Sequence, residues 1–423
     1  MSTLTKSTFV SGLFEALPNT FPSLRQMGKE NFYVQGFPSL KDEEYKFTPI
    51  AKKLETTSLT NFSSANPVII SAEQINKAVP AGFEGVVLAF SNGKYLPELS
   101  TSVEGLTVNF LSKNESTPIG SIAKAENDPF IALNQATFTD GLCISIEKKK
   151  EITLPILLLQ FHQAKEGQVI SPRIWIEASD FAKASFIDYS ISLDDAPYFV
   201  NKVVEIKGGI HTDLTYHSLQ EENNQVIQVN ALVTDIQQDS QFTSTQITLS
   251  GDLVRNNLTL NLLGSNAVGN MFGIYLLNGK THVDNHTNVD HTFPHAESNE
   301  LYKGILADQS RGVFNGKIFV RQAAQKTNAF QQNNNILLSE DAIINTKPQL
   351  EIWADDVKCS HGCTVGQLDE EALFYLQARG IDKTTARGLL LYAFAGEVLE
   401  KIELESLRTF ITTKIQERLG SKF

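Results

Sequence analysis

The chain has 423 residues, 41% of them apolar and 20% charged, and a net charge of −12. That length allows two or three domains with a sizeable core, the acidity opposes nonspecific binding to nucleic acid or anionic lipid, and three cysteines exclude a disulfide framework. No apolar run approaches the roughly 20 residues that span a bilayer, and residues 1–6 lack a basic region leading into an apolar one, so a cytoplasmic protein without a secretory signal is expected.

Residues 1–64 read as helical and broken. Phe9, Leu13, Phe14 and Leu17 recur at helical spacing until Pro18 stops them, and a second helix is predicted from Ser23 to Phe32. Residues 36–49 mix turn formers with aromatics and are expected to form an irregular segment packed on a neighbour. From 65 to 365 the pattern changes to short β-branched or alternating runs at 86–90, 142–146, 174–176, 186–191, 226–233, 245–249, 258–263, 273–277, 304–306, 316–320 and 336–338. Short strands punctuated by Asn, Asp and Gly indicate an all-β region. A sandwich or barrel of this length would be large for one domain, whereas a β-solenoid grows coil by coil because each coil touches only its neighbours. The amide run from Gln331 to Asn335 is expected to supply a stacked corner.

Residues 366–423 switch to a period of 3.6. Asp369 and Asp382 are candidate caps, and helices are predicted over 369–379, 383–402 and 404–419, with Gly380 ending the first. Such a module must bury one face on the β core and can offer another to a partner.

Two segments carry candidate chemistry. If residues 357–366 are extended, Cys359, His361 and Cys363 lie on one strand face. Thiolates and imidazole suit zinc or iron, but same-face positions lie about 6.6 Å apart at the backbone and converge poorly on one ion. The missing donors must come from distant histidines, a substrate or another chain; the alternative is two small thiols beside a hydrogen-bonded histidine. The second segment holds His282, His286, His291 and His295 with Asp284 and Asp290, which invites a metallohydrolase reading. Solenoid geometry would send these side chains in different directions, favouring corner and stacking roles. Neither a nucleophile elbow nor a P-loop is present.

An ordered series of words makes the chain similar to a known family. They include Asp284–Thr287 with His291, Pro294 and His295; Tyr302–Leu306; Gly312–Gly316; Ala324–Thr327; Thr346–Ile352; Ala354–Gly362; and Gly380–Ile381 with Ala386 and Tyr392–Ala395. Gly36–Pro38 and Glu44–Pro49 add a weaker N-terminal match. This series resembles the SufB/SufD family of iron–sulfur cluster assembly scaffolds, and the length and distal cysteine pair resemble its SufD branch. The resemblance implies a mainly β protein, a right-handed parallel β-helix over 65–365 flanked by helical regions 1–64 and 366–423. It further implies a non-catalytic scaffold paired with a SufB-like subunit, and a SufC-like ABC ATPase docked on the C-terminal helices. A transient cluster would form at the heterodimer interface, none being held tightly by this chain alone, with self-association in isolation left open. His361, with Cys359 beside it, is then the expected assembly residue. Cys363 stands where a small residue is expected and is either an extra ligand or, as we favour, inert. Tyr392 and Glu397 are expected ATPase contacts. The competing readings are a β-helix carbohydrate-active enzyme, which wants paired carboxylates and a secretory signal, and the histidine-based metallohydrolase.

Overall fold

A computed structural model describes residues 14, 20–56, 63–113 and 118–419. Strands follow one another as two per coil, one in each of two long sheets, giving a mainly β solenoid of about 8 turns. The first sheet ends on the strand Ile343–Ile352 and the second on Lys358–Gly366. Successive coils pair in parallel from the strand Leu142–Ile146 onward, with register steps between 26 residues (Ile227 to Leu253) and 32 (Arg311 to Ile343).

The interior between the sheets is filled by alternate residues of each strand: Leu258, Leu260, Val289, Phe314 and Ile318 from one side, Met271, Tyr275, Tyr302 and Leu306 from the other. A line of interior amides interrupts it. Asn230 donates to Asn256 at 2.9 Å and Asn256 to Asn285 at 3.0 Å, and Phe314, next in register, ends the line. The amide run 331–335 lies inside the strand Asn328–Leu337 and not at a corner. The corner is made instead by single left-handed residues stacked coil on coil, Phe181, His211, Asp239, Asn266, His295 and Lys326. His, Asp and Asn tolerate that conformation better than most residues, and the amide of His295 donates to the carbonyl of Gln325 one coil on.

Helices cover the outer faces. At the N-terminal side lie α1 (Pro22–Gln35), α2 (Ile50–Thr56), α3 (Ala72–Ala78) and α4 (Pro129–Thr137). The first predicted helix, apart from Phe14, lies outside the described residues. Helix α4 was not legible as a helix; its eight buried residues give no polar face, so no 3.6 periodicity shows. It packs against α1, where a Cβ on Gly28 would sit 2.7 Å from the amide nitrogen of Ala136. Phe32, Ile50, Leu54 and Phe130 meet Phe199, Ile227, Val229 and Leu253 of the first sheet.

At the other side, α5 (Glu370–Ala378), α6 (Lys383–Leu399) and α7 (Glu405–Leu419) follow the last strand. Asp369 and Asp382 cap α5 and α6 as expected, each accepting two backbone N–H groups. Leu391, Ala395, Val398, Leu407, Ile411 and Ile415 bury the outer face of the second sheet against Leu219, Ile247, Ile274 and Ile305. No helix among the described residues is long and apolar enough to cross a membrane.

Candidate functional site

The open end of the solenoid carries the thiol and imidazole groups. Cys359, His361 and Cys363 all lie on Lys358–Gly366, which closes the second sheet and has a neighbour on one side only. Its register sets Cys359 beside Ala329, His361 beside Gln331 and Cys363 beside Asn333. Cys359 packs against the interior core, so alternation turns His361 and Cys363 toward the interior as well. With no further coil above them they are exposed, while Cys359 is half-buried. Burial pushes the Cys359 thiol up, opposed by a hydrogen bond from the backbone of Ala329.

The three residues share a face without converging. No group of three or more His, Cys, Asp or Glu side chains among the described residues could hold a metal ion. The strand therefore offers thiol and imidazole donors in a row, open to whatever stacks on the end. Exposed apolar side chains lie on the same terminal strands and just beyond the first: Ile352, Trp353 and Val365. An unpaired strand edge flanked by apolar surface is a template for pairing with another chain.

The histidine-rich stretch separates by strand parity. On His282–His291, His282, Asp284 and His286 face outward beneath the N-terminal segment, whereas His291 faces the interior and meets Ser298 Oγ at 2.9 Å. His295 belongs to the corner column. The outward trio is bound into an ion network. Arg255 Nη1 reaches Asp284 Oδ2 at 2.5 Å, His286 Nε2 lies 3.0 Å from Asp284 Oδ1, and His286 Nδ1 lies 3.4 Å from Glu44 Oε2. Thr48 also donates to Asp284 and Lys317 pairs with Glu44. These groups latch residues 43–48 onto the first sheet; they do not assemble a hydrolytic metal centre.

Tyr392 and Glu397 both lie on α6. Tyr392 packs on the apolar outer face of the second sheet. Glu397 is exposed and pairs with Lys303 Nζ, which also donates to the carbonyl of Phe394 at 3.0 Å. Phe374 and Tyr375 of α5 present more open surface, 72% and 58% exposed. Sequence reading missed Lys303 and Gln331; only the coil period of about 30 residues, as between Gln331 and His361, would have placed Gln331 beside His361.

The chain also matches known proteins along most of its length. Residues 161–394 match the family described as "SUF system FeS cluster assembly, SufBD core domain", and residues 11–158 match "SufBD protein N-terminal region". The chain is 30% identical to the iron–sulfur cluster assembly protein SufD of Escherichia coli, over 96% of this chain and 95% of that protein. It is 31% identical to the SufBD family protein slr0076 of Synechocystis, covering 88% and 85% of the two chains. Identity to the chloroplastic protein ABCI7 of Arabidopsis thaliana is 28%, covering 91% and 83%.

Proposed function

This chain belongs to the SufBD family of the SUF iron–sulfur cluster assembly system, and we propose that it serves there as a cytoplasmic, non-catalytic scaffold subunit whose open coil end pairs with a SufB-like partner. Family membership takes the place of the carbohydrate-active reading. The observation that carries the proposal is the position of His361: exposed, on the terminal strand, turned toward the interior axis, and short of the donors needed to hold a metal alone.

The cluster is cargo in this scheme. A neutral imidazole at His361 offers one lone pair to iron, and the partner's thiolates supply what this strand lacks. Apolar side chains around the end, Ile352, Trp353 and Val365, would be covered as the partner's strands continue the sheets. A SufC-like ABC ATPase is expected on the C-terminal module, where α5 leaves Phe374 and Tyr375 in solvent. ATP hydrolysis by that subunit would open or close the interface by biasing a two-state equilibrium. Tyr392 and Glu397 contribute to that surface by fixing α6 to the sheet.

The test is co-expression of the His361→Ala chain with its SufB-like and SufC-like partners. The variant complex should assemble at wild-type yield and acquire no cluster by its visible absorption and bound iron. Cys363→Ala is the matched control and should be nearly silent. Normal cluster content in the His361→Ala complex would end the proposal.

A further inference from the structure

Behind His361 the interior column is polar for two coils and then apolar. Register sets Met271 beside Glu300, Glu300 beside Gln331, and Gln331 beside His361. Glu300 is 4% exposed and Gln331 1%. Gln331 Nε2 donates to Glu300 Oε2 at 2.5 Å. That bond fixes which end of the amide points where, and Gln331 Oε1 is left buried with no hydrogen-bond partner among the described residues. A buried acceptor left without a donor is unfavourable, so this oxygen is poised to take one. Gly316 makes room for the arrangement, since a Cβ there would lie 2.2 Å from Gln331 Nε2. Among the described residues no cation pairs with Glu300: burial pushes its carboxyl up to about 7, opposed by the neighbouring Thr287 and Gln331 side chains.

The geometry points to Glu300 and Gln331 as positioning residues for His361. Glu300 holds the amide by its nitrogen, and Gln331 Oε1 accepts the imidazole N–H. The neutral ring is thereby locked in one tautomer with its other nitrogen free toward the open end. Neighbouring positions on paired strands are about 4.8 Å apart at the backbone, so a side-chain rotation at exposed His361 brings the two groups into reach. An outer hydrogen bond of this kind orients a ligating histidine and raises its basicity. The species met by the free nitrogen, iron in a nascent cluster, rests on the function proposed above; the tautomer itself is a property of the free chain.

The experiment is a long-range 1H–15N correlation on the full chain labelled at histidine, at about pH 8, above the ordinary histidine range. The His361 signals are assigned by their loss in His361→Ala. Wild type should show one neutral tautomer, and Gln331→Leu should show the mixture of an unconstrained imidazole. Gln331→Met, which also lacks an acceptor and adapts to the slot, gives the same reading should the leucine variant fail to fold. Gln331→Glu, which keeps an acceptor, should restore the single tautomer. The same tautomer ratio in wild type and in a folded acceptor-free variant would overturn the inference. A changed ratio with unchanged cluster yield in the complex would uphold the positioning and count against His361 as an iron ligand.

Discussion

The three thiols of this chain meet three different solvents. Cys143 is 3% exposed, packed with Phe138 and Trp175; Cys359 is half-buried with its thiol pushed up by burial; Cys363 is exposed. Because the thiolate is the nucleophile, brief alkylation of the free native chain should label Cys363 first, Cys359 more slowly and Cys143 only after unfolding. Peptide mass spectrometry gives the order. Faster labelling of Cys359 than of Cys363 would contradict the packing of Cys359 against the interior core. At this scale the sequence was informative where residues sit close together: Cys359, His361 and Cys363 share a face simply because strand side chains alternate. It was silent on Glu300 and Gln331, which reach the same spot only through the register of two further coils.

Among the elements, the N-terminal segment shows how a stretch without regular structure is held. Its irregular character was readable from residues 36–49, but its partners, some 200 residues downstream, were not. Arg255 sits at the centre, with its guanidinium 3.8 Å from the Tyr45 ring centroid, one bond to the Glu44 carbonyl at 2.9 Å and another to Asp284. Asp284 is fully buried, and its carboxyl is held well below the ordinary range, its burial outweighed by Arg255 and His286. Removing the cation leaves that charge stranded, which typically costs about 3–5 kcal/mol. Arg255→Ala should therefore lower the urea midpoint and make residues 36–56 the first site of limited proteolysis. Wild-type resistance to protease in that segment would mean that the latch is held by apolar contacts alone. The strands themselves were legible mainly in their apolar C-terminal halves. Runs read at 273–277, 304–306 and 316–320 are the ends of Val268–Leu277, Glu297–Leu306 and Arg311–Val320. The first halves carry Gly269, Ser298, Glu300 and Gly312 at interior positions, so no hydrophobic alternation marks them. His282–His291 escaped as a strand for the same reason.

For the molecule as a whole, the solenoid with helices at both ends followed from evenly spaced strand runs and the late change of period, whereas the interior polarity governs how stability responds to pH. His217, His282 and His291 are each buried and each lowered to about 4, by burial in every case. They lie under the C-terminal helices, under the N-terminal segment and in the interior respectively. The unfolded chain protonates each near the ordinary 6.5, while the folded chain keeps them neutral down to about 4. Unfolding thus takes up protons in that window, and stability present above it is lost as pH falls. Glu300 works in the opposite sense. Its carboxyl ionises near 7 in the folded state and near the ordinary 4.5 when unfolded, so its contribution is present below that window and lost as pH rises through 7. Near pH 5.5 the balance is an uptake of about two protons, equivalent to roughly 3 kcal/mol per pH unit. Urea unfolding should show stability falling with about that slope between about pH 6 and 5, and changing little near pH 7, where Glu300 and the histidines nearly offset one another. Glu300→Gln removes the opposing group and should steepen the slope toward three protons, because nothing then offsets the histidines. A slope unchanged by Glu300→Gln would mean that the carboxyl is already ionised in the folded interior, with a cation or water reaching it from the open end.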